Sequence, residues 1–69
     1  MSNDEELDAL RARIDALRVE HRDLDDVIGR LGEQPFVDEL RVRRLKKRRL
    51  LLKDMLTSLE SRLIPDIDA

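Results

Sequence analysis

The chain has 69 residues, of which 43% are charged and 1% aromatic, and a net charge of −2. That length holds at most one small domain, and with no cysteine neither a disulfide framework nor a thiolate zinc site can staple it. The acidic start MSNDEELDAL lacks the basic character of a secretory leader, and no apolar run approaches the roughly 20 residues that cross a bilayer, so a soluble cytoplasmic protein with no membrane segment is expected.

The first element is a helix over about residues 4–31. Its apolar positions, Leu7, Leu10, Ile14, Leu17, His21, Leu24, Ile28 and Leu31, alternate threes and fours without a break, which is the spacing of a coiled-coil seam. Isoleucine falls mainly at a and leucine at d. Asn3 or Ser2 can cap the start, with glutamate three residues on in each case. Asp4, Glu5, Glu6 and Asp8 suit the positive end of the helix dipole. Gly32 marks the stop.

Residues 32–36 read as a short connection, because Pro35 can begin a helix but cannot sit inside one. A second helix follows over about 37–63, with Asp38 and Glu39 in its first turn. Its seam is Val42, Leu45, Arg49, Leu52, Leu56, Leu59 and Leu63. Pro65 disfavours helix at Ile64, leaving 64–69 (IPDIDA) as a tail.

So short a connection favours antiparallel neighbours, and the fold class is all-α: a two-helix coiled-coil hairpin. One register places His21 near Leu52, Leu17 near Leu56 and Leu24 near Arg49; a slip of one heptad is the alternative. Arg49 can lie along the seam on its aliphatic stem while the guanidinium reaches Glu20 or Asp25.

Two helices alone offer a thin core. In Leu50-Leu51-Leu52 successive side chains point about 100° apart, so only Leu52 faces the seam and Leu51 points almost oppositely. With Val37, Leu40 and Met55, Leu51 outlines a second apolar stripe. A helix apolar on two sides is normally buried on two sides, which predicts a homo-oligomer, a four-helix or larger bundle. Single exposed leucines on a monomer are the plainer alternative.

The basic run, Arg41, Arg43, Arg44, Lys46, Lys47, Arg48 and Arg49, suggests phosphate contacts. These side chains are spread round the whole helix, however, and no aromatic lies near to stack on a base. The hairpin would lay them beside Glu20, Asp23, Asp25 and Asp26, so mutual shielding is the preferred reading. Nucleic-acid binding and an acidic protein partner are the alternatives.

His21 at an a position reads as a hydrogen-bonded register residue, with a pH switch as the functional alternative. With Asp25 alone beside it, it is a poor metal ligand. No nucleophile accompanies it, Gly29 and Gly32 do not form a phosphate loop, and no catalytic pocket can be assembled. No cofactor, metal or small-molecule substrate is implied, and no enzymatic activity is expected.

Two segments, EHRDLDDVI (Glu20 to Ile28) and RLKKRRLLLKDML (Arg44 to Leu56), resemble the small bacterial YdcH-like family. The matching positions are His21, Leu24, Asp25 and Ile28, then Leu45, Lys46, Lys47, Leu50, Leu52, Lys53 and Asp54. The resemblance implies a helical hairpin of unknown function in a bacterial cytoplasm and supplies no catalytic residue. It also implies contacts on the Leu50 side of the second helix. The sequence therefore points to a coiled-coil interaction module, with an accessory RNA- or DNA-binding protein as the alternative.

Overall fold

In the computed structural model, which describes residues 3–63, two helices run antiparallel: α1 over Asn3–Gly32 and α2 over Glu39–Leu63. Ser2 and the 64–69 tail lie outside the described residues. Asp4, Glu5 and Glu6 occupy the first turn of α1, where the dipole favours negative charge.

At its other end α1 tightens. The Glu33 amide donates to the Arg30 carbonyl (3.2 Å) and the Gln34 amide to the Leu31 carbonyl (3.4 Å), which satisfies two carbonyls of the last turn. Gly32 keeps negative φ, so no left-handed cap ends the helix. The barrier to continuation is Pro35, which restricts Gln34 and has no amide hydrogen to donate.

α2 begins at Glu39, two residues later than the expected 37, and Asp38 lies outside its first turn. The reason is capping: the Asp38 carboxylate accepts a hydrogen bond from the Arg41 amide at 3.1 Å, and its carbonyl accepts from the Val42 amide at 3.0 Å. Val37, just before the cap, lines one hollow with Val42, the geometry of a hydrophobic staple.

All fifteen seam residues are buried or half-buried. The core centres on Ile14, Leu17, Leu52 and Leu56, with Leu10, Leu24, Leu59 and Leu63 packed against it. Ile28 is buried nearer the turn, while Leu7, His21, Leu31, Val42, Leu45 and Arg49 are half-buried. Ile14 is the most enclosed, 1% exposed.

The resulting body measures 53 × 27 × 14 Å: two helices wide and one helix thick. Its radius of gyration is 16.2 Å, against about 11 Å for a compact chain of this length. Its accessible surface is 6019 Å², against roughly 4,500 Å² for a compact monomer of this size. A single layer buries one stripe of each helix and leaves the others in water.

Candidate association surface

Cross-helix ion pairs record the register. The Arg49 guanidinium donates to Asp25, Arg18 donates to Glu60 at 2.6 Å, and Arg48 approaches Glu20 at 3.9 Å. Of its two expected partners Arg49 takes Asp25, while Glu20 faces Arg48. The Arg18–Glu60 pair brackets the Leu17–Leu56 layer from the open end.

The basic run is not shielded as expected. Only Arg48 and Arg49 form ion pairs; Arg41, Arg43, Arg44, Lys46 and Lys47 form none among the described residues, nor do Asp23 and Asp26. The cause is azimuth. At about 100° per residue, Asp23 and Asp26 turn to the side of α1 away from α2, while Arg43 and Lys47 turn outward from α2.

His21 is half-buried and makes no hydrogen bond among the described residues, contrary to the expected hydrogen-bonded register residue. Its imidazole sits at the rim, between a groove shared with Arg18, Arg22 and Asp25 and a hollow shared with Lys46, Arg49 and Leu50. Water reaches the ring there, and the adjacent Asp25 is engaged by Arg49. No group of three or more acidic or histidine side chains is arranged to hold a metal among the described residues.

The second apolar stripe is exposed in the single chain: Leu40 58%, Leu50 62%, Leu51 56% and Met55 40%, with Val37 also exposed. It divides between two flanks. Leu51 and Met55 line a groove with Arg13, Ala16, Glu20 and Arg48. Leu50 lies across the hairpin in the hollow with His21, Lys46 and Lys53, because it is rotated about 100° from Leu51 in the opposite sense to Leu52.

Among the described residues, three large exposed apolar side chains were not singled out by the spacing: Val19, Val27 and Phe36. Val27 stands beside the seam residue Ile28 as Leu51 stands beside Leu52, and that adjacency was the available signal. Phe36, 91% exposed in the connection, has no periodicity to betray it.

Fold and surface together define a helical hairpin with one satisfied seam and bare apolar flanks. The model of the family described as "Protein of unknown function (DUF465)" matches residues 14–60, and the chain belongs to that family, of which the YdcH-like proteins are members. No curated protein and no solved structure matches the chain. No described helix is long and apolar enough to cross a membrane.

Proposed function

We propose that the hairpin acts by association, as a small non-enzymatic scaffold or adaptor that self-assembles into a four-helix or larger bundle. The observation that carries this reading is the one-layer build: a plate 14 Å thick that leaves eight large hydrophobic side chains exposed among the described residues. Domains normally bury each apolar face against a second layer. A second hairpin is the simplest such layer, needing no cofactor, metal or small-molecule substrate. The signature segments Glu20 to Ile28 and Arg44 to Leu56 support a setting in the bacterial cytoplasm, through their likeness to the family.

Light scattering after size exclusion tests it, across a dilution series of the wild type and a Leu51→Glu, Met55→Glu variant. The expected result is a wild-type oligomer that the variant breaks into single, still helical chains. A wild-type mass of one chain at every concentration overturns self-association.

One observation favours a second reading, nucleic-acid binding: the five cations Arg41, Arg43, Arg44, Lys46 and Lys47 that lack ion-pair partners. They encircle α2 and have no nearby aromatic platform, so the association reading stands first.

A further inference from the structure

The flank across the hairpin from the Leu51–Met55 groove carries a different pattern. Three hollows run along it and share residues: Lys46 lies in the first and the second, His21 and Lys53 in the second and the third. Together they form one furrow that follows α2 from Arg43 to Leu56, about 20 Å at 1.5 Å per residue. Leu50, 62% exposed, stands at its middle.

Charge along the furrow is uneven. Its cations are Arg18, Arg22, Arg43, Lys46, Arg49 and Lys53, and its acids are Glu39, Asp25 and Glu60. Arg49 engages Asp25, and Arg18 engages Glu60. Of the acids nearby, Asp15 pairs with Arg18, while Asp26 and Asp54 turn to the outer faces of their helices and line none of the three hollows. Arg22, Arg43, Lys46 and Lys53 form no ion pair among the described residues. Glu39 forms none either, but it stands at the turn end, beyond Arg43. Four uncompensated cations thus surround an exposed leucine.

Spacing sets the complement. Lys46, Leu50 and Lys53 fall at i, i+4 and i+7, one stripe of α2 with its two lysines a heptad, about 10.5 Å, apart. The matching face carries an acid, an apolar residue and an acid at the same rise, which a third helix presents when it lies lengthwise in a groove. A phosphate backbone would use the cations but leave Leu50 uncovered, and no aromatic side chain lines the furrow to stack a base.

We infer that this furrow seats an acidic amphipathic helix of a partner protein, with carboxylates one heptad apart against Lys46 and Lys53 and an apolar side chain between them on Leu50. Arg22 and Arg43 extend the favourable field, and Glu39 repels a helix carried further towards the turn, which bounds the seat. The furrow is separate from the Leu51–Met55 flank proposed for self-association, so either reading can fail without the other.

Two alanine-rich helical peptides of about 20 residues serve as probes. Each repeats glutamate at every seventh position, with leucine three places later in one and four in the other, because a seated helix can run in either direction. Titrated into isotopically labelled protein at physiological salt, at least one should shift the Leu50 methyls and the His21 ring while the Leu51 and Met55 methyls stay in place. Affinity should fall about tenfold or more in a Lys46→Glu, Lys53→Glu variant. That variant should instead take the peptide in which lysine replaces glutamate, a gain that a merely unfolded chain would not show. Leu50→Ala should weaken binding with both lysines intact. Shifts centred on the Leu51–Met55 flank, equal binding of a glutamine-substituted peptide, or a charge-reversed protein that gains nothing overturns the inference. So does an RNA of about 20 nucleotides that occupies the furrow more tightly than either peptide at the same salt, an outcome that assigns these cations to phosphate.

Discussion

Arg49 of α2 and Asp25 of α1 join the helices at a seam level that is otherwise apolar, the guanidinium Nη1 donating to Asp25 Oδ1 at 2.5 Å. The arginine stem fills the seam between the Leu45 and Leu52 levels, and the charge emerges at the edge. An ion pair this exposed contributes about 0–1 kcal/mol after solvent screening, so its main effect is to favour one register over a slipped one.

Asp25→Ala is accordingly expected to lower the unfolding free energy by less than ~1 kcal/mol. Arg49→Leu, which extends the apolar seam, should leave stability unchanged or raise it by up to ~2 kcal/mol. Urea denaturation at one fixed protein concentration measures both. A loss above ~1 kcal/mol for Arg49→Leu would show that the pair, and not the arginine stem, holds the helices together.

The core prediction follows from how few residues are buried. Ile14, Leu17, Ile28, Leu52 and Leu56 are the buried apolar residues among those described, and Ile14 and Leu56 belong to the same cluster. Either Ile14→Ala or Leu56→Ala should cost ~2–5 kcal/mol. Against the small total stability available to a domain of this size, that should abolish cooperative thermal unfolding followed by circular dichroism. Leu50→Ala, at a site 62% exposed in the single chain, should change the melt of a single hairpin by less than ~0.5 kcal/mol.

The fold was legible because an unbroken three-four alternation has one structural solution, a stripe that must be covered, and a connection of a few residues can return the chain only antiparallel. The register was not legible to within a heptad, since sliding the helices by seven residues again sets leucine against leucine. What selects it is a set of polar contacts, Asp25 with Arg49 and Glu60 with Arg18, that no hydrophobic period encodes. The basic run misled for a related reason. Proximity along the hairpin put Asp23 and Asp26 beside the cations, but pairing depends on azimuth as well as level. For the association surface, consecutive leucines exposed the existence of extra apolar faces. Assigning Leu50 and Leu51 to different flanks required the position of α1.

The start of α2 depends on one side chain. Asp38 accepts from the Arg41 amide at 3.1 Å, and no other side-chain acceptor serves the first turn of α2 among the described residues. Asp38→Ala should destabilise the hairpin by ~0.5–2 kcal/mol, whereas Asp38→Asn, which keeps a capping oxygen, should cost only a few tenths. Thermal melts of the two variants side by side check this. Equal losses would mean that the charge at the helix start matters, and not the hydrogen bond.

The unpaired cations allow a decision between association and nucleic-acid binding. If Arg43, Arg44 and Lys47 grip phosphates, affinity must fall steeply with salt, because each neutralised phosphate releases a condensed counterion. Three or more such contacts would give a log–log slope of about −2 to −3, and Arg43→Gln, Arg44→Gln, Lys47→Gln should then flatten it together with the affinity. The association reading expects neither: fluorescence anisotropy with a 20-nucleotide RNA and a DNA duplex should show no saturable binding at physiological salt, with wild type and triple variant indistinguishable. Binding that survives there and is lost in the triple variant would transfer the function to the basic arm. It would also make oligomerisation a way of multiplying phosphate contacts, since each added hairpin brings another basic arm.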